Sequence, residues 1–251
     1  MKELMFFDVN CRIGDSQLGP RPGVSELLAD MDTYGIDRAL VRHGDNSQGA
    51  EITNASLAQM LKEDTAERLT GVWCILPSQC NEIPEPDQFF AEMKANRIGA
   101  ITLNPYEHRY QPNRLTIGKI MDAAAERKIP VLLDAFSARW PDLFTFVETF
   151  KKNTLIYIES GGKWGFDRNI RPLLENYEHF YYDMAGYWVP EGVGDLALKY
   201  GADRILYGSN FPSYNQGCGM LQLKYQPQLD EKAIAAIAGK NLEKLLKEAQ
   251  L

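Results

Sequence analysis

The stretch IGAITLNPYEHRYQPNRLTIGKIMDAAAERKIPVLLD, residues 98–134, holds one complete strand, helix and strand. Residues 98–103 and 130–134 are short β-branched and aliphatic runs, the composition of buried strands. Between them, residues 116–127 place apolar side chains three and four apart, the period of a helix with one buried face. The same alternation extends both ways from this unit. Strand-like runs occupy 4–9, 38–42, 69–76, 155–159, 179–184 and 204–207, and helical spacing covers 23–34, 52–62, 87–95, 141–151, 170–177, 191–200 and 231–248. Eight strands alternating with eight helices predict an α/β fold, a single (β/α)8 TIM barrel spanning residues 1–251.

A doubly wound sheet is the rival arrangement. It ordinarily has a glycine-rich first turn, and neither GxGxxG nor GxxxxGK occurs here. Gly161-Gly162 and Gly217-Cys218-Gly219 are too short to replace either motif. No Ser/Pro/Gly linker divides the chain, so one domain is expected. The EIPEPDQ segment around Pro84 and Pro86 reads as a surface loop.

Composition narrows the partners. The 251 residues carry 27 Lys plus Arg against 34 Asp plus Glu, a net charge of -7, so no basic excess exists to hold a phosphate backbone and no nucleic acid is expected. With 45% hydrophobic and 24% charged residues the chain suits a compact globule, and no apolar run is long enough to span a membrane. The four cysteines, Cys11, Cys74, Cys80 and Cys218, show no CxxC spacing, and the N-terminus turns polar early, so a reducing, cytoplasmic setting is expected. A small-molecule substrate or ligand is the expected partner, no cofactor is expected, and a homo-oligomer is open to a barrel of this size.

In a barrel of this kind, the residues just after each strand meet at one mouth. Strand alternation puts Asp8, Asn10 and Arg12 on one face. Arg42 and His43 follow the second strand, with Arg42 competing for the inward direction; Trp73 and Cys74 end the third. Asn104 ends the fourth, with Tyr106 and His108 further into its loop. Asp134, Glu159, Asp183 with Met184, and Asn210 end the last four. His179 begins a strand and His108 lies in a polar loop, so both read as structural or exposed. Cys11 and Cys74 read as small buried thiols, no paired histidine being identifiable. Lys163 reads as solvent-exposed, and Asp203-Arg204 as a tie between barrel and helix.

The segments FFDVNCRIG (6–14), GIDRALVRH (35–43), IPVLLDA (129–135), IYIESGG (156–162), DRILYGSNFP (203–212) and AGKNLEKLL (238–246) resemble, in order, the amidohydrolase-related metal-dependent hydrolases. The resemblance is strongest to the branch with aminocarboxymuconate-semialdehyde and resorcylate-type decarboxylases. It implies a first strand reading D-x-H-x-H-x-G whose histidines hold a divalent metal, commonly zinc. Here that frame reads Asp8-Val9-Asn10-Cys11-Arg12-Ile13-Gly14, with Asn10 and Arg12 at the histidine positions. The family's strand 5 and strand 6 histidines match Asp134 and Glu159, and its strand 8 aspartate matches Asn210.

Zinc favours imidazole, thiolate and carboxylate ligands. Arg12 instead brings a permanent positive charge with no acceptor, and Asn210 offers only an amide oxygen. The substitutions are coherent as a set if the Arg12 guanidinium takes part of the metal volume, paired with Asp134, Glu159 or both, because a lone buried charge is costly. A metal held by the two carboxylates, or no close contact among these groups, are the other arrangements. The candidate catalytic set is Arg12, Asp134, Glu159, Asn10, Asn210 and His43, with no metal ligand assigned. Glu159 is the candidate general acid or base, Asp134 its partner or the group orienting Arg12, and Arg12 the clamp for negative charge.

Three functions remain open on these residues. One is a metal-independent hydrolase or decarboxylase acting on a small carboxylated or hydroxylated substrate. The others are a barrel that binds a ligand or partner without turnover, and a metal-dependent hydrolase with relocated ligands.

Overall fold

A computed structural model describes residues 4–15, 19, 21–45, 48–134, 139–158 and 167–251. Eight parallel strands run in chain order around one sheet: β1 Phe7–Ile13, β2 Arg38–His43, β3 Leu69–Cys74, β4 Ile98–Thr102, β5 Val131–Leu133, β6 Leu155–Tyr157, β7 Phe180–Asp183 and β8 Ile205–Leu206. The ring closes where β1 meets the end of β8: Val9 N–H donates to the Tyr207 carbonyl at 3.0 Å, and Arg12 N–H to the Phe211 carbonyl at 3.0 Å. The helices between strands are α1 Val24–Tyr34, α2 Ala50–Met60, α3 Pro86–Ala95, α4 Arg114–Glu126, α5 Trp140–Thr149, α6 Asp167–Asn176 and α7 Gly192–Tyr200.

The unit read first from sequence shows how local chemistry sets these boundaries. Asn113 caps α4, its side-chain oxygen accepting from Leu115 N–H at 2.9 Å and Thr116 N–H at 3.3 Å. Ile117, Ile120, Met121 and Ala124 form the buried stripe. Past the last turn, Lys128 adopts φ 54°, and Ile129 N–H returns to the Ala124 carbonyl at 2.9 Å, so the chain reverses into β5.

Two helical features depart from the expected pattern. Helix α8, Gln216–Lys224, lies in a region with no expected helix, because Gly217 and Gly219 depress helix propensity. The expected helix over 231–248 is three joined segments: α9 Glu231–Ala235, a widened π turn over Ala236–Lys240, and α10 Asn241–Glu248.

Two apolar layers follow from strand alternation. Outward side chains pack beneath the helices, while Phe7, Val9, Leu40, Val72, Ala100, Leu132, Ile156, Ile158 and Leu206 fill the barrel interior. Leu242, Leu245 and Leu246 of α10 pack against this inner cluster, and a Cβ on Gly99, near the start of β4, would lie 3.0 Å from Leu246. Helix α10 therefore stops the N-terminal end, leaving the opposite end for polar groups. Arg204, just before β8, donates to the Leu174, Tyr177 and Tyr200 carbonyls, the expected tie to the helical layer.

Candidate active site

A β-bulge decides which residues of β1 face the mouth. The β1–β2 register shifts between Asp8 and Cys11, so one extra residue is accommodated in β1. Plain alternation would put Asp8 beside Asn10 and Arg12. The bulge overturns that expectation: Asp8 instead accepts from Ser209 N–H at 3.0 Å and from the Gln216 amide of α8 at 3.0 Å. Asp8 thus fastens β1 to β8 and α8. Cys11 shares that side, fully buried, and burial pushes its thiol well above its ordinary value.

Asn10 and Arg12 enter a chain of polar contacts across the mouth. Arg12 Nη2 donates to Asp134 Oδ2 at 2.5 Å, and Arg42 Nη1 reaches the same oxygen at 2.7 Å. Arg42 Nη2 also donates to Asn10 Oδ1 at 2.5 Å, and Asn10 Nδ2 donates to Asp183 Oδ2 at 2.8 Å. Asp183 Oδ1 accepts from Ala185 N–H at 2.9 Å. The amide of Asn10 suits this place because its two ends have opposite hydrogen-bonding character. Flipping it would set NH2 against the guanidinium and oxygen against the carboxylate.

Burial makes these contacts consequential. The Arg42 and Asp134 side chains are only 5% and 6% exposed, while Arg12 keeps 16% open. Burial pulls the Arg42 guanidinium below its ordinary value, and the Asp134 charge works in the opposite direction. Among the described residues, the Nε–H groups of both Arg12 and Arg42 are buried without an acceptor. Arg21 stands near enough for Arg12 to disfavour its charge, after burial, while Asp45 and Asp134 favour it.

The remaining candidates fall into different places. Asn210 is 2% exposed, with φ 59° in the left-handed region that asparagine tolerates, and its carbonyl accepts from Ser213 N–H at 2.8 Å. His43 turns away from Arg42 toward a cleft of about 440 Å³ shared with Asp15, Arg21 and Gln48. Its Nδ1 accepts from Asp45 N–H at 3.1 Å, and burial holds the imidazole below its ordinary value. Glu159 and the 160–164 segment, including Lys163, lie outside the described residues. Trp73 faces the helical layer, packed on Phe89 with ring centroids 5.5 Å apart.

Arg42 and Asp183 are central to the network although neither belonged to the expected catalytic set. Both stand at strand ends, and the alternation Leu40–Arg42 was the available signal for Arg42. A further pairing carried no sequence signal: Cys74 Sγ lies 3.9 Å from His108 Nδ1, across 34 residues of chain. Cys74 is the small buried thiol expected, and the histidine beside it is the one sequence left unidentified.

The donor set does not fit a divalent metal at the position implied by the resemblance. A guanidinium has no lone pair to give a cation, and two of them already occupy one oxygen of Asp134. Among the described residues no group of three or more His, Cys, Asp or Glu is arranged to hold a metal ion.

The amidohydrolase family profile matches residues 15–247. The chain belongs to the amidohydrolase family. A comparison with curated proteins finds no match. Among solved structures, the chain is similar to an uncharacterized TIM-barrel protein from Bordetella bronchiseptica, with TM-score 0.72, 16% identity, and coverage of 98% of this chain and 99% of the other. It is also similar to 5-carboxyvanillate decarboxylase from Sphingomonas paucimobilis, with TM-score 0.70, 13% identity and coverage of 98% and 99%. A probable 2-pyrone-4,6-dicarboxylic acid hydrolase from Acinetobacter baumannii, with citric acid bound, gives TM-score 0.69, 12% identity and coverage of 96% and 99%. At such identities the likeness is one of fold. No helix among the described residues is long and apolar enough to cross a membrane.

Proposed function

We propose that this barrel is a metal-independent hydrolase or decarboxylase for a small carboxylated substrate. The observation that carries the reading is the convergence of Arg12 and Arg42 on one oxygen of Asp134, with an Nε–H of each lacking an acceptor among the described residues. Buried guanidinium donors without acceptors favour an oxygen-rich anion, since an unmet buried donor costs about 1–3 kcal/mol. Arg12, the more open of the two, receives the substrate carboxylate; Arg42 and Asp134 fix its direction. The names of two similar solved structures, a 5-carboxyvanillate decarboxylase and a probable 2-pyrone-4,6-dicarboxylic acid hydrolase, both refer to carboxylated rings, which supports the substrate class.

Asp134 positions rather than transfers a proton, because both guanidiniums already draw on its Oδ2. Glu159 is the proposed general acid or base, with Asn10 and Asn210 as neutral hydrogen-bonding groups and His43 beside the rim. Water attack on an acyl carbon, or protonation of the carbon losing CO2, would pass through that carboxyl group.

Calorimetric titration with small aromatic and aliphatic carboxylates tests the reading. The intact protein binds at least one, and Arg12→Gln weakens it about 10- to 100-fold, the value of a charge-assisted hydrogen bond. No carboxylate binding by the intact protein sinks the proposal. A second reading, ligand binding without turnover, is favoured by the balance of Arg12 and Arg42 against Asp134 and Asp183. The two separate on Glu159→Gln, which abolishes turnover in the enzyme and changes nothing measurable in a pure binder.

A further inference from the structure

Cys74 is held through both its backbone and its sulfur. It ends β3 on the same face as Val72 of the inner cluster, which places it at the mouth, and its residue is 6% exposed. The Asn54 side chain of α2 clamps its backbone from both sides, donating to the Cys74 carbonyl at 2.9 Å and accepting from its N–H at 2.7 Å. The Asn104 amide donates to Sγ at 3.6 Å, and His108 Nδ1 stands 3.9 Å from the same sulfur. His108 Nε2 lies 3.0 Å from the Gln48 carbonyl. A carbonyl only accepts, so that contact fixes the proton on Nε2 and leaves the Nδ1 lone pair toward the thiol.

We propose that Cys74 is the nucleophile of an acyl-transfer site in the barrel mouth, with His108 as its general base, acting on small acyl esters. The proposal rests on the metal-free reading and adds to that mouth a thiol nucleophile for esters, separate from the carboxyl group proposed to act on water. Sγ forms a bond to the acyl carbon as its proton passes to Nδ1 and the carbonyl π pair moves to oxygen. Collapse breaks the bond to the alkoxy group, which takes the proton from His108 and leaves as the alcohol. Water, deprotonated by His108, then cleaves the thioester, returning the thiol and releasing the acid. Overall, ester and water give acid and alcohol, with no oxidant or reductant consumed.

The thiol is neutral at rest, burial having pushed it up to about 12. Reactivity at neutral pH therefore depends on a base drawing the proton during attack, and Asn104 stabilises the sulfur as charge develops. An isolated thiol of that kind is inert. The histidine dependence is what separates the proposal from a packed cysteine.

The test uses the full chain carrying Cys80→Ser and Cys218→Ser, which removes the two exposed thiols, with p-nitrophenyl acetate as probe. Peptide mass spectrometry should find acetyl on Cys74 and none on Cys11. Acetylation of Cys74 should slow about 100-fold in His108→Gln, the scale of a positioned base. Cys74→Ser should abolish the thioester, and carboxylate titration of the parent protein reads Arg12 separately, so that failure here is distinguishable from failure of the Arg12 reading. An unmodified Cys74, or one acetylated equally fast in His108→Gln, overturns the proposal. Should either variant not fold, the iodoacetamide rate at Cys74 in the parent protein decides. A levelling with pH once the imidazole is neutral supports the dyad, whereas a continuous rise through the accessible range overturns it.

Discussion

Asp134 is the residue on which the mouth turns, because it is the shared acceptor of the buried Arg42 guanidinium and the half-buried Arg12 guanidinium. Asp134→Asn keeps the shape and removes the charge, leaving Arg12 and Arg42 in mutual repulsion. The expected loss is about 3–5 kcal/mol of stability, measured by urea denaturation with unchanged m. His43 gives a second residue-level expectation. Its folded value lies below the ordinary 6.5 because of burial, so the unfolded chain binds the proton more readily. Its contribution is intact above that ordinary value and is lost as pH falls through it toward the folded value. His43→Gln should flatten this part of the stability curve, read as a smaller difference in Tm between about pH 8 and about pH 5. At this scale the sequence made the Arg12 and Asp134 partnership legible, because a permanent cation at a position inside a barrel needs an anion. Arg42 was harder to assign, since its inward direction competes with that of His43. The His108 approach to Cys74 left no trace, since it depends on where a loop folds back.

At the scale of elements, the bulge in β1 and the absence of a side chain in the segment after β8 work together. The bulge releases Asp8 toward α8 and leaves Asn10 beside Asp183. A Cβ on Gly208 would collide with the Asp183 carboxylate and come within 3.1 Å of Asn10 Cβ. Gly208→Ala should therefore cost about 1–3 kcal/mol by overpacking, and should weaken carboxylate binding through displacement of Asn10. Thermal unfolding and calorimetry on the same sample check this; a variant as stable and as tight as the parent would show the space is not needed. Strand existence was readable from β-branched runs, but the extra residue of a bulge has no compositional mark. Helix α8 escaped for a related reason: Gly217 and Gly219 count against a helix locally, while its place is set by tertiary contacts such as Gln216 to Asp8.

Across the whole molecule, the alternation of strand and helix was enough to specify the barrel, because each strand–helix unit buries one face of a helix on the sheet. What it did not specify is how the two ends of the barrel differ. Leu242, Leu245 and Leu246 of α10 pack under the inner cluster at the N-terminal end, and the charged chain from Arg12 to Asp183 closes the other. Between them lies a rigid apolar fill from Phe7 to Leu206. The N-terminal end therefore contributes stability at a distance from the charged mouth. Leu242, 1% exposed, offers the direct test. Leu242→Ala should lower stability by about 2–5 kcal/mol, the usual cost of a cavity at such a site. Carboxylate affinity, measured well below the lowered Tm, should stay within about twofold, because distant sites without shared partners act additively. A large fall in affinity would mean that the apolar fill transmits strain from α10 to Arg12, and that the mouth and the stopper form one coupled unit.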